Sequence, residues 1–212
     1  MSAPGLTLSG SARFGETPVF GPLTLEVPAQ QWTCLLGPSG VGKDTVMRAL
    51  SEAHPGLGLV RRVITRPGSA VGEDCDVVSQ ETFDETREGG GFALHWQAHG
   101  MSYGVPQEIE AQLAEGRDLL VNLSRTVLAP AQTRFPAFMT LFLTASEEVL
   151  RQRLIERGRE SQSEVEGRLA RRDFALPQGL EPVIEIRNDG KPGDTVNLVL
   201  AALYPEKESR MI

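Results

Sequence analysis

Short apolar runs alternate with amphipathic segments along most of the chain. The first buried-strand pattern, at 32–37, precedes a glycine-rich turn and a helical pattern over Lys43–Ala53. Five later runs, rich in β-branched, leucine or aromatic residues, predict further strands at 59–65, 92–98, 118–123, 138–143 and 183–187. Because helical patterns fall between most of them, the order predicts an α/β fold, a mostly parallel sheet with helices on both faces.

Local signals set the expected helix boundaries. The segment 106–115 opens with a proline, which suits a first helical turn, and ends before a glycine. Two segments, 144–147 and 161–164, have Ser or Thr followed three residues later by Glu. This is the spacing of a capping box, so both segments are expected to start helices.

The N-terminal residues have a different pattern. Segments 6–9, 12–14 and 23–27 alternate apolar with polar residues and are separated by glycine and proline, which predicts a short antiparallel β meander. We therefore expect an N-terminal β appendage, residues 1–30, followed by one α/β domain, residues 31–212.

Composition restricts the possible partners. The chain has 212 residues and a net charge of −7, so its overall field would repel nucleic acid. Cys34 and Cys75 lack the spacing of a metal site, and reduced thiols are expected. No apolar run has the length of a membrane span, and the N-terminus lacks the features of a signal peptide. These observations predict a cytoplasmic protein without a membrane or nucleic-acid partner.

The strongest chemical signal is the glycine-rich loop between strand and helix. Its glycines let backbone N–H groups converge on phosphate oxygens, the helix N-terminus adds partial positive charge, and Lys43 bridges the transferring phosphates. A glycine-rich turn can precede any helix, but strand, spacing, lysine and helix together favour a P-loop that binds a nucleoside triphosphate. The predicted binding residues are Gly37, Pro38, Ser39, Gly40, Val41, Gly42, Lys43, Asp44 and Thr45.

The residue after the lysine departs from the usual P-loop. Ser or Thr normally holds Mg²⁺ there, whereas this chain has Asp44, with Thr45 one position later. Two arrangements are open: Asp44 binds Mg²⁺ directly or through water, or its carboxylate caps the loop and leaves the ion to Thr45 and water. Asp44 and Thr45 are the candidate metal ligands.

Motifs downstream of the loop resemble those of guanylate-kinase-like P-loop kinases. They are RVITRP at 62–67, FALHWQAHGMSYGV at 92–105 and DLLVNLSR at 118–125. Within that group the chain resembles the ribose 1,5-bisphosphate phosphokinase family, through GPSGVGKDT, L-x-W-x-A-x-G-x-x-Y-G-V, VNLSR and RQRLIERGRES. The resemblance extends over residues 33–202.

This resemblance implies a guanylate-kinase-like fold and an enzyme that uses ATP and Mg²⁺. The implied reaction converts ribose 1,5-bisphosphate to 5-phosphoribosyl 1-pyrophosphate in phosphonate degradation. An acceptor-binding part is expected at about 60–105 and a lid at about 155–172.

Three departures from guanylate kinases bear on the acceptor. Leu94 replaces a glutamate that accepts hydrogen bonds from guanine, Val105 replaces the Ser or Thr that reads the base, and Cys75 replaces a phosphate-holding tyrosine. An unpaired buried base edge costs about 1–3 kcal/mol per group. Guanosine monophosphate is therefore a poor candidate, and a sugar bisphosphate fits better.

The resemblance also implies the acceptor contacts. Arg62 and Arg66 would bind phosphate as bidentate forks, and Tyr103 would add a hydroxyl donor. Asn122 would orient ribose hydroxyls. Taken singly, Arg62, Arg66 and Tyr103 are better explained as solvent-facing arginines and a packed tyrosine, and it is their joint occurrence in the family order that favours acceptor binding.

A second basic cluster lies at 151–172, and its part at 157–172 resembles the lid of such kinases. Arg157 and Arg168 are expected to neutralise charge as the phosphoryl group moves, and the other arginines to be solvated or structural. Asn188 resembles part of the family's adenine-side loop, although a turn after the last strand is an equal alternative.

Two other functions remain open. Residues 6–45 resemble the opening of an ABC ATPase, but no Leu-Ser-Gly-Gly signature and no aliphatic run ending in Asp-Glu follow. A non-catalytic guanylate-kinase-like binding module is the second alternative, and the intact loop around Lys43 disfavours it. The sequence does not indicate the oligomeric state.

Overall fold

The structure is a computed structural model that describes residues 6–14, 17–27, 32–66, 75–158, 162–170 and 176–204. In chain order its elements are β1 (Leu6–Phe14), β2 (Thr17–Val27), β3 (Trp32–Leu36), α1 (Lys43–Ala53), β4 (Leu57–Leu59), β5 (Arg62–Ile64), β6 (Cys75–Val77), α2 (Gln80–Glu88), β7 (Phe92–Ala98), β8 (Met101–Pro106), α3 (Ile109–Ala114), β9 (Asp118–Asn122), a 3-10 turn (Arg125–Val127), α4 (Leu128–Arg134), β10 (Phe138–Thr144), α5 (Glu147–Arg157), α6 (Gln162–Ala170), β11 (Val183–Arg187) and α7 (Pro192–Leu203).

A five-stranded parallel sheet forms the centre of the fold. Its strand order is β11-β10-β3-β9-β4, and every neighbouring pair is parallel. The carboxyl ends of the strands therefore meet at one edge, where β3 leads into the glycine-rich loop. The predicted mostly parallel α/β fold is confirmed.

Alternate residues of these strands face two hydrophobic clusters. Leu35, Leu120 and Leu141 pack on one face with α1, α5, α6 and α7. Cys34 and Val121 pack on the other face with α3, α4 and the strands β7 and β8. The period of two along each strand produces this division because successive side chains point to opposite faces. Both faces of the sheet are covered.

A second sheet of four strands lies in the segment that was expected to bind the acceptor. Its order is β6-β5-β8-β7, with β5 and β6 parallel and the other pairs antiparallel. His99 and Gly100 join β7 to β8, with φ values of 53° and 74°. Both residues of this tight turn adopt the left-handed conformation, which is typical of a two-residue hairpin.

Four boundary predictions were wrong. The segment 59–65 is not one strand, since it divides between β4 in the parallel sheet and β5 in the second sheet. Pro106 ends strand β8 instead of opening a helix, and α3 begins at Ile109. Thr144 belongs to β10, and Ser146 caps α5 by accepting a hydrogen bond from the Val149 N–H.

The fourth correction concerns the N-terminal segment. Strands β1 and β2 form one antiparallel hairpin with register shifts near Ala12, instead of a meander of three short strands. The segments 6–9 and 12–14 belong to the same strand because β1 continues through the irregularity.

Both cysteines are free, and complete burial raises the pKa of the Cys34 thiol to about 12.

Among the helices that the structure describes, none combines the length and apolar character needed to cross a membrane.

Candidate active site

A cavity of about 890 Å³ lies at the carboxyl edge of the parallel sheet. The glycine-rich loop, α1 and α5 contribute to its wall, together with side chains from β5, β8 and β9. Open parallel sheets bind their ligands at this edge. The structure therefore brings the predicted nucleotide loop and most of the predicted acceptor residues to one site.

The loop conformation requires glycine at two positions. Gly42 caps α1 with φ 91°, in the left-handed region. A Cβ atom on Gly37 would lie 2.5 Å from the carbonyl oxygen of Leu143. The loop can thus pack against β10 and turn into the helix only without side chains at these positions. Of the predicted loop residues, Ser39, Gly40, Gly42, Lys43, Asp44 and Thr45 line the cavity, whereas Gly37, Pro38 and Val41 lie outside its wall.

Lys43 is the first residue of α1 and extends back along the loop. Its Nζ donates hydrogen bonds to the carbonyl oxygens of Gly37, at 2.9 Å, and Pro38, at 3.2 Å. The ammonium group is thereby held at the cavity next to the helix N-terminus. Both features favour an anionic ligand such as a nucleotide phosphate.

Asp44 and Thr45 occupy the first turn of α1, and both are exposed at the cavity. A carboxylate and a hydroxyl beside the phosphate-binding loop are hard oxygen ligands of the kind that Mg²⁺ uses. Mg²⁺ in kinases is held by one or two protein oxygens, with water and substrate phosphates completing its shell. The residues present fit this ion.

Asn188 is buried beneath the glycine-rich loop. Its Nδ2 donates to the carbonyl oxygen of Val41 at 2.7 Å, and its Oδ1 accepts from the Thr195 hydroxyl at 2.6 Å. Its side chain also lines the cavity. Both polar ends of the amide are therefore engaged in fixing the loop to β11 and α7, a role that differs from the predicted nucleotide contact. That contact stays a prediction.

Arg153 of α5 reinforces the same attachment. Its Nη1 donates to the carbonyl oxygen of Asn188 at 2.9 Å and approaches that of Val41 at 3.4 Å. The side chain is half-buried and lines the cavity. Arg153 was expected to be solvated or structural, and the structure gives it a structural contact at the site.

Asp189 fixes the start of α5. Its Oδ1 accepts a hydrogen bond from the Ser146 N–H at 2.7 Å, and Arg187 donates to its Oδ2. Partial burial of the carboxyl group opposes ionisation, but the hydrogen bonds from Ser146 and Arg187 outweigh it and lower the pKa of Asp189. The turn after β11 thus holds both the glycine-rich loop and the helix that leads to the expected lid.

Three of the four predicted acceptor residues line the same cavity. Arg62 at the start of β5, Tyr103 in β8 and Asn122 at the end of β9 are all half-buried there. Arg66 is exposed, two residues beyond β5, and does not belong to the cavity wall. The Arg62 guanidinium lies over the Tyr103 ring, with its Cζ 5.9 Å from the ring centroid.

Leu94 and Val105 pack in the core beside Tyr103 and do not line the cavity. They are register partners on β7 and β8, and they are 7% and 0% exposed. Trp96 is also buried there. At these two positions the second sheet therefore presents no polar group to a nucleobase.

The predicted lid residues are described to different extents. Arg157 ends α5, is exposed and lines the cavity. Arg168 lies in α6, and its side chain falls outside the described residues. Val165 and Leu169 of α6 pack in the same cluster as Leu150 and Leu154 of α5.

Further cavity residues were not predicted as ligands. They are Val46, Arg48, Ala49 and Glu52 of α1, Arg153 and Glu156 of α5, and Pro192 of α7. Arg48 and Glu52 follow Asp44 at intervals of four residues, so all three share one face of the helix. That periodicity was the available signal, but it is also typical of any solvated helix face.

The opposite edge of the sheet carries a separate polar contact. Asp118 begins β9, at the opposite end from Asn122, and accepts a hydrogen bond from the Tyr204 hydroxyl at 2.9 Å. Burial, followed by the bond to Asp118, raises the pKa of Tyr204. The Tyr204 ring stacks on His54, with ring centroids 4.1 Å apart. Asp118 does not line the cavity.

Comparison with known proteins first defines the class. A family model of an AAA domain matches residues 34–171. The fold resembles the crystal structure of a guanylate kinase from Anaplasma phagocytophilum, with a TM-score of 0.60 and 21% identity, covering 86% of this chain and 88% of that one. These findings and the glycine-rich loop define a P-loop protein with a guanylate-kinase-like fold.

Curated relatives then define the family. Ribose 1,5-bisphosphate phosphokinase PhnN of Pseudomonas paraeruginosa is 48% identical over 173 residues, which cover 80% of this chain and 92% of the relative. The protein of the same name from a Ruegeria species is 51% identical over 156 residues, 74% of this chain and 82% of the relative. This chain belongs to the ribose 1,5-bisphosphate phosphokinase family, as its motifs predicted.

Proposed function

We propose that the protein transfers the terminal phosphoryl group of ATP to the 1-phosphate of ribose 1,5-bisphosphate, as a step of phosphonate degradation. The products are 5-phosphoribosyl 1-pyrophosphate and ADP. One observation carries the proposal: a single cavity contains Lys43 of the P-loop together with Arg62 and Tyr103. Leu94 and Val105, at the positions where a guanine base would be read, are apolar and buried. This combination suits an acceptor recognised by its phosphates instead of by a base. Membership of the family supports it.

The donor side is formed by the loop and α1. Backbone N–H groups of the loop and the N-terminus of α1 would bind the ATP phosphates, and the Lys43 ammonium would neutralise charge on the transferring group. Mg²⁺ bound with ATP would screen the phosphates further, and Asp44 and Thr45, which line the cavity, would hold it. Asn188 and Arg153 keep the loop in place through the carbonyl oxygen of Val41.

The acceptor side is formed by the second sheet and β9. Arg62 would bind a phosphate of the sugar, Tyr103 would donate a hydrogen bond, and Asn122 would orient the ribose. Arg66 would join this contact from the edge of the acceptor-binding part, about 60–105. Each of these residues acts by positioning a polyanion. The acceptor site therefore consists of cationic groups and hydrogen-bond donors, and it needs no pocket for a nucleobase.

The reaction itself needs no general base. An oxygen of the 1-phosphate forms the new bond to the γ-phosphorus of ATP, and the bond from that phosphorus to the β–γ bridging oxygen breaks, leaving ADP. Because the nucleophile is already an anion, no proton has to be removed. The chain contributes alignment of the two phosphates and neutralisation of their charge, from Lys43, Arg62 and Arg157, with Arg168 on the lid at about 155–172.

The proposal is tested by comparing acceptors. Purified protein, ATP and Mg²⁺ are incubated with ribose 1,5-bisphosphate, ribose 5-phosphate or guanosine monophosphate, and the release of ADP is measured. Ribose 5-phosphate is the matched control because it lacks only the nucleophilic 1-phosphate. We expect ADP with the bisphosphate alone. Equal turnover of guanosine monophosphate, or ADP release that does not depend on an acceptor, would contradict the proposal.

A further inference from the structure

Trp96 belongs to a stack of three side chains that ends at the active site. The Trp96 and Tyr103 rings are nearly parallel, with an interplanar angle of 6° and centroids 5.2 Å apart. The Arg62 guanidinium lies over the same tyrosine ring, 5.9 Å from its centroid. Arg62 and Tyr103 line the cavity, and Trp96 is 7% exposed in the core beneath them.

The strand order places the two partners of Tyr103 on opposite sides. Strand β8, which carries Tyr103, lies between β5 with Arg62 and β7 with Trp96. Trp96 and Tyr103 are direct register partners, and Tyr103 pairs with Ile64, two residues after Arg62. All these side chains therefore share one face of the sheet. The tyrosine ring is held between an indole and a guanidinium.

We propose that Trp96 is a positioning residue for the acceptor, which it orients by fixing Tyr103 and, through the tyrosine ring, the Arg62 guanidinium. The inference rests on the proposed function, because it assumes that Arg62 and Tyr103 bind the sugar phosphate. A stacked aromatic pair and a cation over an aromatic face are both favourable, and each restricts the rotation of the groups involved. An arginine held in this way enters the complex with less conformational freedom left to lose.

Loss of the Trp96 indole should affect the binding of the acceptor and leave the binding of ATP nearly unchanged. Trp96 contacts the acceptor side of the cavity through Tyr103, whereas the P-loop is fixed by β11 and α5. Removal of the indole should therefore raise the KM for ribose 1,5-bisphosphate about fivefold to tenfold. The KM for ATP should remain within about twofold of the wild-type value.

The chain provides a matched control, since its other tryptophan is also buried. Trp32 is 1% exposed and packs edge-on against Phe135 and Phe138, outside the cavity wall. Trp96→Leu and Trp32→Leu remove the same ring from two core positions. We expect the larger KM for the acceptor only in Trp96→Leu, with a smaller increase in Trp96→Phe. Equal kinetic effects of the two leucine substitutions would assign Trp96 to general core packing and overturn the inference.

Fluorescence gives a second readout that leaves the stack intact. In a Trp32→Phe variant, Trp96 is the single tryptophan, and it stacks on the Tyr103 ring, so its emission should respond to a change at that ring. We expect ribose 1,5-bisphosphate to change this emission, and Arg62→Met to abolish the change. An unchanged emission at an acceptor concentration that saturates turnover would overturn the inference, while the proposed function would stand. A wild-type protein that neither turns over the bisphosphate nor changes its emission would exclude both.

Discussion

The side-chain amide of Asn188 donates a hydrogen bond to the carbonyl oxygen of Val41 at 2.7 Å, although the two residues are 147 positions apart in the chain. Val41 belongs to the glycine-rich loop, and Asn188 follows the last strand of the parallel sheet. The conformation of the phosphate-binding loop is therefore fixed by a residue near the end of the domain. This contact connects the conformation of the nucleotide site to the turn between β11 and α7.

Asn188→Asp should weaken ATP binding. The substitution keeps the shape of the side chain and the acceptor for the Thr195 hydroxyl, but it places a carboxylate oxygen against the carbonyl oxygen of Val41. A buried group that loses its partner costs about 1–3 kcal/mol, so we expect the KM for ATP to rise about tenfold or more. Asn197→Asp, on the exposed side of α7, is the control. An unchanged KM for ATP would show that the loop does not depend on this contact.

Lys43→Met should abolish most of the turnover while the protein remains folded. The methionine retains much of the side-chain length but removes the charge that is held near the carbonyl oxygens of Gly37 and Pro38. Loss of one electrostatic contact to the transferring group typically lowers kcat about 100-fold to 1000-fold. Lys191→Met changes an exposed lysine outside the cavity wall and should retain wild-type kcat. A similar kcat in the two variants would show that Lys43 does not take part in phosphoryl transfer.

Asp44→Asn tests the metal ligand. If Asp44 contributes a negatively charged oxygen to Mg²⁺, the Mg²⁺ concentration that gives half-maximal turnover should rise by about tenfold. The measurement is a Mg²⁺ titration at saturating ATP, with Glu52→Gln on the same helix face as the control. If the two titration curves coincide, Asp44 only caps the loop and Thr45 remains as the candidate ligand.

Tyr204 should make stability depend on pH in the alkaline range. Its pKa is raised in the folded protein by burial and by the bond to Asp118. A raised folded-state pKa means that the stabilisation is fully present below the ordinary tyrosine pKa of about 10 and is lost as pH rises above it. Tyr204→Phe should lower the free energy of unfolding by about 1 kcal/mol at neutral pH and flatten its decline above pH 10. Urea unfolding of the wild-type protein and of Tyr204→Phe, at neutral pH and above pH 10, measures the free energy of unfolding. If this free energy falls equally with pH in the two proteins, Tyr204 does not cause the alkaline loss of stability.

Much of the fold was predictable where a segment has a clear hydrophobic pattern bounded by turn residues. The predicted bounds of α1, β7 and β11 coincide with the observed ones. The sequence did not predict the three-residue strands β4 and β5 as separate strands, because such short segments have no measurable period. Their separation is visible only in the structure, where β4 pairs in the parallel sheet and β5 in the second sheet. Strand β8 was not predicted from the sequence, because it ends in a proline and follows a turn of His99 and Gly100.

The site was predictable where a motif fixes both residue type and spacing. Six of the nine predicted P-loop residues line the cavity together with Arg62, Tyr103 and Asn122, whereas Arg66 does not. Arg153 could not be distinguished from neighbouring arginines, because its role depends on a contact with the carbonyl oxygen of Asn188, 35 residues away. Long-range contacts to backbone atoms leave no pattern in a single sequence.

The most direct test of phosphoryl transfer to the sugar is phosphorus NMR of the products formed from ATP and ribose 1,5-bisphosphate. We expect two new pairs of mutually coupled phosphorus signals, one from ADP and one from the pyrophosphate at C1 of the ribose, while the 5-phosphate signal keeps its character as a monophosphate ester. Appearance of inorganic phosphate and the ADP pair alone would show that the protein hydrolyses ATP and does not phosphorylate this sugar.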